Sequence, residues 1–144
     1  MPGSSRELSN IRFFIKDGCL CTFLLLYPDP LCLTPGGANG RRQREALLLH
    51  KPLLVVGTPG RLAQFVREGV LLLHTCPILV LDEADQLLGD NFREDLSHVA
   101  EHCGRKAVPG RQTVVVSATL SQTVLTKFSK WCPEPEFVTS GGAP

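Results

Sequence analysis

The sequence carries almost no net charge. Lys and Arg number 15 against 14 Asp and Glu, which leaves +1. A basic coat of the histone or ribosomal-arm kind is excluded, so any nucleic-acid contact must come from a few placed residues. Long apolar runs are also lacking. None reaches the roughly 18 residues of a membrane-spanning helix, and no membrane partner is expected. The nearest, Cys19 to Tyr27, is cut by Pro28 and Pro30. Arg6, Arg12 and Lys16 give it a faint signal-peptide look, but Asp17 interrupts and no small-residue cleavage site follows. Cysteine is too sparse for a disulfide scaffold: 6 in 144 residues is about 4%, against roughly 8–10% in cystine-stapled chains. The six are scattered and read as reduced thiols. No repeat and no collagen, coiled-coil or solenoid bias is present. What remains is the length of one domain, with 43% hydrophobic residues to build a core.

The chain changes character near residue 35. Residues 1–35 read as an irregular N-terminal segment, with apolar clusters at Ile11–Ile15 and Cys19–Tyr27 and then Pro28, Pro30 and Pro35. From residue 36 to 139 helix and strand signals alternate, which argues a parallel α/β layer. Residues 140–144 read as a loose tail. Arg41–His50 reads as a helix. Leu53–Val56 and Ile78–Leu81 are wholly apolar runs, the pattern of strands buried on both faces. Thr58-Pro59 opens a second helix, with a hydroxyl N-cap and proline at the first position. Asp90 is an N-cap candidate for a helix bearing Phe92, Leu96, Val99 and Cys103. Thr113–Val116 is a third strand, Ser121 caps a last helix, and Phe137-Val138 reads as a short fourth strand.

Asp82 directly follows a buried-strand run. A carboxylate there sits at the strand's C-terminal end, the edge where open α/β sheets bind ligands. One Asp with substrate phosphates can hold Mg²⁺, and Glu83 can polarise a water. Alone, this pair is more simply a helix N-terminus with favourable charge.

The full tetrapeptide Asp82-Glu83-Ala84-Asp85 resembles the signature of the DEAD-box RNA helicases. Other pieces follow in that family's order: Gly36-Gly37 for the double glycine, Thr58-Pro59-Gly60-Arg61 for TPGR, and Ser117-Ala118-Thr119 for SAT. Arg6-Glu7-Leu8 is similar to the end of the PTREL motif, with Ser4-Ser5 in place of Pro-Thr. The likeness covers about residues 36–139, and Asn91–Asp95 looks most like plant organellar members. The resemblance implies a partial RecA-like (P-loop NTPase) fold, a parallel sheet with flanking helices. It implies ATP and Mg²⁺ as cofactors and RNA as partner. Asp82, Glu83 and Asp85 would be catalytic, with Asp82 on the metal, and Ser117 and Thr119 would couple hydrolysis to RNA strain by hydrogen bonds toward the acids. Arg6, Gly36, Gly37, Thr58, Gly60 and Arg61 would meet the single-stranded RNA backbone, positioning it without reading sequence. Plastid and mitochondrial addresses both fit the resemblance, and neither is identified.

The departures are as informative. Phosphate binding in this family uses G-x-x-x-x-G-K-[ST], yet none of the 13 glycines precedes a lysine. The adenine-recognising glutamine motif, the second RecA-like domain and the arginine fingers are also missing. The expectation is therefore a fragment without the phosphate-loop strand, carrying non-native sequence around residues 11–35 and inactive alone. Loss of that strand would leave an unpaired apolar sheet edge. The rival reading is a non-catalytic RNA-binding or dominant-negative module, to which Arg41, Arg42 and Arg44 add local charge. A metal module is the third option: His98 and His102 share a helix face at i, i+4 beside Cys103, but Cys19 and the distant Cys32 give no zinc-finger spacing, and no G-x-S-x-G segment supports a serine hydrolase.

Overall fold

In the computed structural model, the structure describes residues 23–26, 32–34, 39–51 and 54–138. The elements run β1 (Phe23–Leu26), β2 (Cys32–Thr34), α1 (Gly40–His50), β3 (Leu54–Gly57), α2 (Pro59–Arg67), β4 (Ile78–Leu81), α3 (Ala84–Leu87), α4 (Arg93–His102), β5 (Gln112–Val115) and α5 (Gln122–Phe128). The strands form one sheet in the order β2-β3-β1-β4-β5.

The helices start and stop where local chemistry dictates. Asn39 Oδ1 accepts the Arg41 N–H at 3.0 Å and caps α1. Lys51 ends that helix in the left-handed region at φ 40°. Pro59 occupies the first turn of α2, and Gly69 follows its end at φ 70°, a conformation glycine adopts without steric penalty. Ser121 Oγ accepts the Val124 N–H at 3.3 Å and caps α5.

The core lies between the sheet and the helices. It joins Val55 of β3, Leu62 and Phe65 of α2, Leu79 and Leu81 of β4, Leu96 and Val99 of α4, and Val124 and Phe128 of α5. Burying side chains of this size supplies about 1.5–3 kcal/mol each. None of the described helices is long and apolar enough to cross a membrane.

Five sequence expectations change. β1 and β2 lie within residues 1–35, the stretch expected to be irregular. β1 runs antiparallel to both β3 and β4, so the sheet is mixed, with parallel pairs at β2–β3 and β4–β5. β3 and β4 alternate between buried and half-buried residues rather than being buried throughout. Residues Asp90–Phe92 form a 3₁₀ turn, so α4 begins later, with Phe92 at its N-cap. Phe137 and Val138 are exposed and outside the sheet.

Candidate functional site

The parallel strands carry three motifs to one rim of the sheet. Gly57 of β3 and Leu81 of β4 both pair with Phe23, and Leu81 also pairs with Val115 of β5. Thr58, Asp82 and the Val116-Ser117 turn therefore leave the sheet at the same end. β1 stands between β3 and β4, so the Thr58 and Asp82 positions are about 10 Å apart, two strand spacings.

The acidic turn is tightly made. Asp82, half-buried, accepts the Glu83 N–H on Oδ1 at 2.9 Å. Glu83 is exposed and left-handed, at φ 50° and ψ 49°. A non-glycine residue held there costs on the order of 1–2 kcal/mol. The cost is balanced by hydrogen bonds from the Gln86 and Leu87 amides to the Glu83 carbonyl, at 2.8 and 3.1 Å. Strain thus sits on a predicted catalytic residue, a feature with no signal in the sequence.

The Ser-Ala-Thr turn docks on this segment twice. The Ala84 N–H donates to the Val116 carbonyl at 3.0 Å. The Ser117 hydroxyl donates to Asp85 Oδ1 at 2.9 Å. Thr119 differs from expectation: it is exposed, and its backbone N–H points to Ser117 Oγ at 3.3 Å. Among the described residues Ser117 alone joins the turn to the acids by a side-chain hydrogen bond.

The start of α2 is the second part of the site. Thr58 holds the N-cap position in an extended conformation, but its side chain makes no capping bond. First-turn amides of a helix favour anions. Gly60 has a packing role: a Cβ there would stand 3.3 Å from Asp95 Oδ2. Asp95 in turn pairs with Arg67 at 2.8 Å and fastens α4 to α2. Arg61 donates from Nη1 to Gln64 Oε1 at 2.9 Å, and its Cζ lies 5.8 Å from the Phe65 ring centroid. The sequence reading missed Gln64 and Glu68, and took Arg44 only as local positive charge. Gln64 Nε2 donates to Glu68 Oε1 at 2.9 Å, and Glu68 pairs with Arg44. The Gln64 hydrogen bond, and then Arg44, hold the Glu68 carboxyl below its ordinary value. The i, i+3, i+7 spacing of residues 61, 64 and 68 was the available signal. Arg6, Gly36 and Gly37 lie outside the described residues.

The donor set matches a nucleotide-bound Mg²⁺ only in part. Asp82 would supply one hard oxygen ligand at a strand end. Among the described residues no group of three or more His, Cys, Asp or Glu could hold a metal. No Gly-Lys phosphate cradle exists in the sequence. The residues present therefore do not fit ATP–Mg²⁺ as a complete site.

The DEAD/DEAH box helicase family model matches residues 26–128. Over 113 residues the chain is 46% identical to the mitochondrial DEAD-box ATP-dependent RNA helicase 47 of Arabidopsis thaliana, covering 72% of this chain and 20% of that protein. Helicase 47A of Oryza sativa is 44% identical over 116 residues, with the same coverage. The chain thus spans about a fifth of the length of these relatives. Among solved structures it resembles a DEAD box protein of Methanococcus jannaschii, with TM-score 0.59 and 28% identity over 72% of this chain and 28% of that one. It also resembles Mss116p bound to ssRNA and AMP-PNP, with TM-score 0.58 and 30% identity over 68% of this chain and 20% of that one. With its acidic rim, Ser-Ala-Thr turn and Thr-Pro-Gly-Arg helix start in one fold, the chain belongs to the DEAD-box helicases, as a piece of their RecA-like domain.

Proposed function

We propose that this chain contacts the backbone of single-stranded RNA through the start of α2 and does not turn over ATP by itself. One observation supports the reading above the rest: Asp85 is tied to Ser117 at 2.9 Å on the rim that also bears Thr58. That rim holds the acidic and coupling parts of a helicase site without a phosphate cradle. Mss116p, whose structure contains ssRNA and AMP-PNP, has the same fold.

The chain's own residues divide the work. Arg61 offers a charge-assisted hydrogen bond to a phosphate oxygen. Thr58 offers a hydroxyl that the helix cap does not use. These contacts position a strand and carry no base information. Asp82, Glu83 and Asp85 keep the rim acidic, and Ser117 links it to β5. Positioning and electrostatic stabilisation supply nearly all phosphoryl-transfer catalysis. An acidic rim alone therefore gives background rates.

The test is equilibrium binding of a fluorescent oligouridylate across a salt series. Affinity should fall linearly on logarithmic axes, and Arg61→Ala should weaken binding and reduce the salt slope by about 1. Binding that is indifferent to salt and to Arg61→Ala would overturn the reading.

A further inference from the structure

We infer that Gly40 is a positioning residue for the Arg61 guanidinium, and through it for an RNA phosphate; this rests on the RNA reading above. A Cβ built on Gly40 would stand 2.8 Å from Arg61 Nη1 and 3.6 Å from its Cζ. Carbon does not approach that closely, so any side chain at this position displaces the guanidinium.

The surroundings show why the absence of a side chain matters. Gly40 and Arg44 lie one turn apart on α1, and Gln64 and Glu68 one turn apart on α2. The two helices meet along a polar seam. At one end Arg44 reaches across to Glu68. At the other end Arg61, bonded to Gln64, reaches back to α1, and there α1 presents only backbone. A larger residue at position 40 would close that end of the seam.

Glycine is not required at position 40 by the backbone. Its φ lies outside the left-handed range, and the cap is made by Asn39. Helix propensity opposes it, since alanine is the better helix former. Among the described residues, the Arg61 guanidinium is what stands against a Cβ there.

This gives opposite signs for stability and binding. Gly40→Ala should leave the melting temperature unchanged or raised. It should weaken oligouridylate binding by about tenfold or more, the scale of one misplaced charged hydrogen bond. The same substitution in an Arg61→Ala background should have no further effect on affinity. Without RNA, the Arg61 side-chain Nε–H resonance should shift in Gly40→Ala. An unmoved resonance, full affinity in Gly40→Ala, or equal loss in both backgrounds overturns the inference. A moved resonance with Arg61→Ala binding as tightly as the parent overturns instead the RNA reading on which it rests.

Discussion

The hydroxyl of Ser117 reaches Asp85 Oδ1 at 2.9 Å across 32 positions of sequence. It closes the turn after β5 onto the turn after β4, beside the backbone bond from Ala84 to Val116. Ser117→Ala should destabilise the fold by about 1 kcal/mol, the net value of one hydrogen bond in a half-exposed setting. Asp85→Asn should cost a similar amount, and the double variant less than the sum, because the two share one interaction. Urea denaturation measures all three. Strict additivity would show that the contact contributes nothing.

Arg111 is a structural clamp. Its guanidinium donates to the carbonyls of Ala100, Cys103 and Trp131. It thereby satisfies orphan carbonyls at the end of α4. Arg111→Ala should cost about 2–3 kcal/mol, since charged hydrogen bonds are lost and acceptors are left unpaired. Arg111→Lys should rescue little, because an ammonium lacks the planar fork. Gly104 faces the same clamp at φ 70°, where a Cβ would lie 2.6 Å from Arg111 Cβ and 2.9 Å from the Cys76 carbonyl oxygen. Gly104→Ala should therefore lower the melting temperature despite alanine's better propensity.

Much of this was legible in the residues. Leu53–Val56 and Ile78–Leu81 are apolar runs bounded by turn signals, and the strands β3 and β4 fall on them. Pro59 and Ser121 marked helix starts by chemistry that needs no tertiary context. Phe23–Leu26 has the same apolar character, but Pro28 and Pro30 masked it as a strand. Its antiparallel direction had no local signal, because strand orientation is set by the connections. The motif residues were legible through family resemblance, and Ser117 lies within hydrogen-bond distance of Asp85. Thr119 is exposed, and the left-handed Glu83 and the Gly40–Arg61 approach exist only once elements pack.

Stability should fall as pH drops through the imidazole range. Burial first, and then the nearby His102 and Arg67, hold His98 below its ordinary value of 6.5, while Asp95 and Glu101 act the other way. Below about pH 6.5 the unfolded chain binds a proton that the folded chain resists, so stability is lost as pH falls toward the depressed value. Glu68 and Glu101 are held below the ordinary carboxylate value, so their losses come at more acidic pH. Melting temperatures between about pH 7.5 and 5.5 should decline in the parent and flatten in His98→Gln. An identical decline in both would refute the assignment.

Among the described residues β5 pairs on one side only. Its free side borders a groove of about 670 Å³ lined in part by Leu125, Phe128 and Phe137. Val114 and Val116 are 36% and 47% exposed. An uncharged β-branched edge invites association. Val114→Lys should raise the concentration at which light scattering begins, with little change in melting temperature. Unchanged scattering would show that the edge is covered in solution.

Phosphate release from ATP, with and without single-stranded RNA, tests the central claim most directly. On the proposed reading the acidic rim lacks its phosphate cradle, so release by the purified chain should equal that of Asp82→Asn under both conditions. Release that RNA stimulates and Asp82→Asn abolishes would contradict the account.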